Sequence, residues 1–225
     1  MTQRPYVLLS VAMSIDGYID DATPERLLLS NAEDFDRVDE VRAGVDAILI
    51  GANTIRRDNP RLLVNSDDRR AARVARGEAE YPLKVTITAG GDLSAEAKFF
   101  NFGGEKVVYC ATGTAAKQRK ELEGLADVVE AGDPVDLGLV LDDLGARGVR
   151  RLMVEGGQSI HTAFLTAGLA DEIHLAMAPF FVGDPAAPRF VGAGVFPQDS
   201  AHRMEVAEVR QIGDIVFVRY QTRAS

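Results

Sequence analysis

Thr54 and Asp58 stand four residues apart in V-D-A-I-L-I-G-A-N-T-I-R-R-D-N-P-R-L-L-V, Val45–Val64. On a helical turn that spacing puts a hydroxyl and a carboxylate on one face. The apolar run ahead of them reads as a buried strand ended by Gly51, and Asn59-Pro60 beyond them as a rigid corner. A polar pair just past the carboxyl end of a strand suits a nucleotide-binding crevice. The competing use of Asp58 is structural: a turn carboxylate that accepts backbone N–H groups beside Asn-Pro.

V-E-G-G-Q-S, Val154–Ser159, is a second constellation. It follows a strand pattern and opens a helix pattern. Paired glycines let the backbone approach a ligand closely, and the leading N–H groups of a helix favour phosphate. G-x-G-x-x-G is absent, so the usual dinucleotide fingerprint is not met, and a tight turn needed for geometry alone accounts for the glycines equally well. M-S-I-D-G, Met13–Gly17, ends in the Asp16-Gly17 turn signal and leads into a loop running to Leu29, long enough to suggest a functional role. Arg42 ends a helix, and Arg61 and Leu62 follow the Asn-Pro corner. A guanidinium there suits a phosphate clamp, although a cation at a helix C-terminus also complements the dipole.

Strand-like and helix-like segments alternate around these residues. Strands are expected at Pro5–Met13, Asp46–Gly51, Leu83–Thr88, Lys106–Cys110, Asp127–Glu130, Arg151–Val154 and Asp171–Val182. Helices are expected at Ser30–Ala43, where Ser30 and Glu33 form a capping box and Gly44 a stop, and at Asp67–Ala79, Thr114–Leu125 and Gln158–Ala167. Val140, Leu141 and Leu144, with Leu137, make a helical apolar stripe. Gly183–Pro197 reads as a loop, and Met204–Ile212 with Ile215–Gln221 as a hairpin turning at Gly213-Asp214. The pattern is α/β: a mixed sheet with helices on both faces and an antiparallel hairpin appended.

The 225-residue length favours one large domain, 1–225. No run approaches the ~18 apolar residues of a membrane span, and no charged-then-apolar leader opens the chain, so the expected location is cytoplasmic. A net charge of −9 argues against nonspecific binding to nucleic acid or to anionic membrane. Cys110 is the single cysteine, which rules out an internal disulfide and a cysteine-based zinc site; it reads as a small core residue. His161, His174 and His202 are scattered and no metal site is expected. Packing suits His161 better than catalysis, and Met177, Phe180 and Phe181 read as core or dimer contacts.

Val45–Val64, the opening P-Y-V-L-L-S-V-A-M-S-I-D-G, R-L-M-V-E-G-G-Q-S-I and D-E-I-H-L-A-M-A-P-F-F-V-G follow one another as in the riboflavin-pathway pyrimidine reductases. The chain resembles that family over nearly its whole length. The resemblance implies a dihydrofolate-reductase-like fold: a mixed, mostly parallel sheet flanked by helices, with a C-terminal antiparallel hairpin. It implies NADPH contacts at Met13, Thr54, Asp58, Gly156, Gly157, Gln158, Ser159 and Ile160, and substrate contacts at Arg42, Leu62 and Glu155, with Arg61 beside them. Asp58 and Glu155 are the carboxylates it places at the reaction. It also implies a homodimer, for which the C-terminal hairpin and the Asp171–Val182 strand supply apolar surface.

The implied activity is NADPH-dependent reduction of a ribosylaminopyrimidine 5′-phosphate to its ribitylamino product. Two alternatives stay open: a reductase of the same fold acting on a pterin, dihydrofolate or a specialised pyrimidine, and a dimeric nucleotide-binding scaffold without catalysis. No H-x-E with P-C-x-x-C occurs, so the zinc deaminase of the bifunctional enzymes is not expected in this chain. Asn65 departs from the basic residue of the bifunctional bacterial members, and Arg26 and Leu28 depart from their Ser and Trp. S-N-A-E-D-F-D-R-V-D-E-V-R resembles the stand-alone archaeal and fungal branch instead. These departures leave open whether the pyrimidine is deaminated.

Overall fold

A computed structural model describes residues 3–222 apart from 24 and 26, so Arg26 lies outside the described residues. In chain order the elements begin with β1 (Tyr6–Ser14), α1 (Ala32–Ala43), β2 (Ala47–Gly51), α2 (Ala52–Asp58), α3 (Asp67–Ala75), β3 (Leu83–Thr88), α4 (Lys98–Asn101) and β4 (Lys106–Cys110). They continue with α5 (Ala115–Glu121), β5 (Asp127–Glu130), α6 (Leu137–Ala146), β6 (Arg151–Val154), α7 (Gln158–Thr166), β7 (Glu172–Ala178), β8 (Glu205–Ile212) and β9 (Ile215–Gln221). The chain forms two compact units, each drawn from separated stretches: Met1–Tyr6 with Asp39–Met153, and Val7–Val38 with Val154–Ser225.

The first unit carries strands in the order β5-β4-β3-β2-β6, with β2, β3, β4 and β5 parallel. Every residue of β2, A-I-L-I-G, is buried, which is how a strand covered on both faces reads in sequence. The stripe on α6 buries Val140, Leu141 and Leu144, and Asp136 caps that helix by accepting the Gly138 N–H at 2.7 Å.

The second unit carries β1-β7-β9-β8. β1 pairs parallel with β7, Leu8 opposite Glu172, and β7 pairs antiparallel with β9. The β8–β9 hairpin turns at Gly213, whose φ of +61° fits glycine at the first central position of a tight turn. The mixed, mostly parallel sheet with a terminal antiparallel hairpin is the expected class.

Several details depart from expectation. α1 is capped by Asn31 and not Ser30: the Asn31 Oδ1 accepts the Asp34 N–H at 2.9 Å, while Ser30 donates to the Asp34 carboxylate at 2.6 Å. The Asn31 amide also donates to Ile212 O and Asp214 Oδ1, both at 2.8 Å, and so ties the start of α1 to the hairpin tip. β7 stops at Ala178 instead of running to Val182, because Pro179 has no N–H for the ladder. Phe181 is exposed, so of the expected core or dimer roles the core one does not apply to it. The four-residue α4 carries no periodic signal and was not expected.

His161 on α7 is fully buried, edge-on to Phe190 at 5.2 Å. Backbone groups of Val154 and Phe190 approach the ring, but neither ring nitrogen completes a hydrogen bond. Burial holds its pKa down at about 4, so the ring is neutral when folded. The unfolded chain takes up that proton near pH 6.5 and the native state does not. Stability from this residue is therefore present above 6.5 and is lost, by about 3 kcal/mol, as pH falls toward 4. Urea midpoints measured from pH 7.5 down to 4 should fall more steeply for the wild type than for His161→Leu. Parallel curves would show that His161 is not held neutral.

Candidate active site

Gly51 ends β2, and α2 starts directly after it at the carboxyl end of the parallel strands. Thr54 and Asp58 both lie on α2, one turn apart, Thr54 half-buried and Asp58 exposed. A carboxylate in the last turn of a helix faces the negative end of the dipole, a placement that costs stability. Asn59 closes α2 with φ +42° and takes the Lys98 N–H on its Oδ1 at 2.8 Å. Arg56 reaches Asp92 at 2.6 Å, tying α2 to the Gly90-Gly91 loop that leaves β3 at the same end. Sequence reading passed over that loop; its glycine pair just beyond a strand was the available signal.

The chain from Pro60 to Asn65 belongs to no helix or strand, so its backbone groups need other partners. Buried or half-buried charged side chains supply them. Lys84 Nζ donates to Arg61 O at 2.9 Å and Arg42 Nη1 to Leu63 O at 3.0 Å. Arg70 Nη1 donates to Val64 O at 3.0 Å and to Asn65 O at 2.8 Å. Asp39 accepts the N–H groups of Asn65 and Ser66 and the Asn65 side-chain amide, with Arg69 at 3.1 Å. Against the desolvation of burial, those donors hold the Asp39 carboxyl below its ordinary pKa. Within this clasp Leu62 is buried at φ +53°, a conformation that costs a branched residue roughly 1–2 kcal/mol. Arg61 points its exposed side of the corner to solvent. Arg42, expected at the substrate, is engaged at least partly by the corner backbone, and Asn65 faces Asp39.

The Glu155–Ile160 turn lies in the second unit. Gly157 precedes α7 with φ +90° and ψ 133°, where a Cβ is poorly tolerated, and no side chain caps the helix. Gly156 is buried, Glu155, Gln158 and Ile160 are half-buried, and Ser159 is exposed. The side chain of Gln158 is used internally: its Oε1 accepts the Arg189 N–H at 2.9 Å. Thr162 Oγ1 accepts the Gly192 N–H at 2.8 Å, so a strap of chain at 189–192 is fastened along the start of α7.

The same strap meets the Met13–Gly17 loop. Phe190 N–H donates to Gly17 O at 2.9 Å, and Arg189 donates to Asp16 O at 3.1 Å and to the Tyr18 hydroxyl at 2.7 Å. Asp16 accepts Ser14 Oγ–H at 2.5 Å and the N–H groups of Val182 and Gly183 at 3.2 and 2.8 Å. Although partial desolvation opposes it, these donors leave the Asp16 pKa lowered. Asp16, expected only as a turn residue, is the joint between two loops. The expected site residues thus fall in two sets: Thr54 and Asp58 on α2 with Arg61 and Leu62 of the corner that Arg42 on α1 reaches, and Glu155 with 156–160 at the glycine turn, while Met13 lies near the end of β1. His161 lies behind the glycine turn as packing. Among the described residues no His, Cys, Asp and Glu side chains gather as a metal site.

Compared with known proteins, the chain matches the RibD C-terminal domain over residues 5–218. It is 34% identical to the 2,5-diamino-6-ribosylamino-4(3H)-pyrimidinone 5′-phosphate reductase of Methanothermobacter thermautotrophicus, across 98% of this chain and 99% of that one. It is 32% identical to the reductase of the same name from Archaeoglobus fulgidus, across 94% of this chain and 95% of that one. The solved structure of Acinetobacter baumannii RibD resembles it with a TM-score of 0.81 at 24% identity, over 98% of this chain and 59% of that one, a likeness that speaks for the fold.

Proposed function

Since the chain belongs to the RibD C-terminal domain family, we propose that it is a pyrimidine reductase of riboflavin biosynthesis acting on a ribosylaminopyrimidine 5′-phosphate. The observation that carries this reading is the near full-length match to the two archaeal reductases. Their printed names make 2,5-diamino-6-ribosylamino-4(3H)-pyrimidinone 5′-phosphate the first substrate to test. We read both compact units as one reductase domain, since neither is a continuous stretch of chain. The reductase draws on a nicotinamide cofactor, and NADPH is the form we propose. A cytoplasmic setting goes with this reading, and no described helix is long and apolar enough to cross a membrane.

The glycine turn fits such a cofactor. Gly157 occupies a conformation that keeps side chains away, Gly156 is buried, and α7 begins without a side-chain cap, leaving its leading N–H groups for an anion. Met13, Thr54, Asp58 and residues 156–160 make up the proposed cofactor set. Arg42, Arg61, Leu62 and Glu155 make up the substrate set. In that set the exposed Arg61 guanidinium clamps phosphate, and Glu155 accepts hydrogen bonds from the pyrimidine.

The substrate's N-glycosylamine opens to an imine, and reduction forms a C–H bond at the former ribose C1 while the nitrogen gains a proton. The nicotinamide supplies the hydride. Asp58 stabilises the positive charge that develops on the nitrogen, or its acid form delivers the proton. In this reading Leu62 and the clasped corner contribute substrate affinity.

The direct test is loss of reduced-nicotinamide absorbance with the diamino and the deaminated pyrimidine phosphates, alongside dihydrofolate. Turnover of dihydrofolate alone would replace the pyrimidine reading. Asp58→Asn should lower turnover by roughly a hundredfold with little change in melting temperature. Near-normal turnover at saturation would remove Asp58 from catalysis, and a mainly thermal defect would make it a structural carboxylate. Gly157→Val should weaken NADPH binding at least tenfold, about 1.4 kcal/mol; an unchanged titration would take the turn out of the site.

A homodimer is also proposed. The hairpin register puts Val206, Val209 and Val216 on one face with Val218 and Tyr220. The first three are 55%, 63% and 42% exposed on and beside a terminal strand, the kind of apolar edge that association covers. Sedimentation should report twice the 24.3 kDa chain mass, and a single species at 24.3 kDa would refute it.

A further inference from the structure

Lys84 lies in the middle of the parallel strands, between Leu83 and Val85, and is only 1% exposed. An ammonium there is costly to desolvate, and methionine would fill the same space without that cost. Burial, with the charge of Lys106 adding, pushes its pKa down to about 7. Two carbonyls and one aromatic ring surround its nitrogen. Two carbonyls take it, Arg61 O at 2.9 Å and Phe102 O at 2.7 Å, and the Phe99 ring lies beneath it with its centroid 4.6 Å away.

The two carbonyls come from different places. Phe102 closes α4, and Arg61 belongs to the corner. The Arg61 carbonyl is part of the peptide plane that leads into Leu62. Pinning that oxygen fixes the plane about which Leu62 takes its φ of +53°, and with it the direction in which the exposed Arg61 side chain leaves the corner. Without the ammonium, Leu62 would have a lower-energy conformation available and nothing at that carbonyl to resist it.

We propose that Lys84 is a positioning residue for substrate: by bridging the end of α4 to the Arg61 carbonyl it sets the geometry in which Arg61 and Leu62 meet the phosphorylated pyrimidine. This rests on the reading of Arg61 and Leu62 as substrate contacts. Lys84 does not touch the reacting atoms. Its effect falls on substrate affinity, and it leaves the glycine turn alone.

The experiment compares Lys84→Met and Arg61→Ala with the wild type. It measures KM and kcat for 2,5-diamino-6-ribosylamino-4(3H)-pyrimidinone 5′-phosphate at saturating NADPH, and NADPH affinity by titration without substrate. For Lys84→Met the expected result is a KM about tenfold higher, kcat within twofold and unchanged NADPH affinity, with Arg61→Ala also raising KM. If Arg61→Ala raises KM and folded Lys84→Met does not, the proposal is overturned while the corner remains a substrate site. If neither changes KM, the corner does not bind substrate and the proposal falls with that reading. A merely structural role would lower melting temperature and active fraction without altering KM. Should Lys84→Met fail to fold, Lys84→Gln, which keeps two donors on a shorter arm, replaces it. An intermediate KM supports the proposal and a wild-type KM overturns it.

Discussion

Six of the most consequential backbone groups in this protein lie in a stretch that belongs to no helix or strand. Along 61–66, carbonyl after carbonyl is taken by Lys84, Arg42 or Arg70, while Asp39 takes the N–H groups that follow. Leaving a buried carbonyl unsatisfied costs about 1–3 kcal/mol. Desolvating the Lys84 ammonium, judged by a pKa brought from 10.5 to about 7, costs on the order of 5 kcal/mol. For the two carbonyls it serves, cost and gain are of one size. The lysine therefore adds little net stability, and what it supplies is a defined direction for the chain at the corner. Asp39 and Arg69 do the same for the start of α3 from the side of α1.

The second unit solves a related problem by loop-to-loop fastening. At the glycine turn no capping side chain holds the backbone at the start of α7. Rigidity comes instead from the strap at 189–192, tied down by Gln158 and Thr162 on one side and by Asp16, Gly17 and Tyr18 on the other. The Arg189 guanidinium also stacks over the Tyr18 ring at 4.3 Å. Helix dipole and free N–H groups are thereby kept available while the surrounding loops carry the hydrogen bonds.

Strand positions were legible in the sequence from short runs rich in β-branched and apolar residues between turn signals: Leu83–Thr88, Lys106–Cys110, Asp127–Glu130 and Arg151–Val154 coincide with β3, β4, β5 and β6. The apolar/polar pattern also exposed the α6 stripe and the hairpin. The pairing of Thr54 with Asp58 on one helix followed from spacing alone. Side-chain-to-backbone bonds across long separations were not legible, because they leave no periodic trace. Lys84 reads as one charge in a strand, Asp16 as half of an Asp-Gly turn, and Asn31 as the residue after a plausible Ser30 cap. Each acts through partners 18 to 183 positions away. Gln158 shows the reverse limit: the motif marks it for the ligand, while its side chain serves the strap.

The pairing of β1 with β7 has a bearing on how this protein is made. Leu8 lies opposite Glu172 and Ser14 opposite Ala178, so β1, once made, waits for β7 while more than two-thirds of the 225 residues are synthesised after it. At common elongation rates that delay is on the order of ten seconds, far longer than hydrophobic collapse takes. V-L-L-S-V-A is apolar, β-prone and uncharged, the composition of a segment that associates with other nascent chains when left unpaired. Yield in the cell should accordingly respond to elongation speed and chaperone supply upstream of any change in the finished protein's stability, and codon choice along the intervening stretch becomes a lever on solubility.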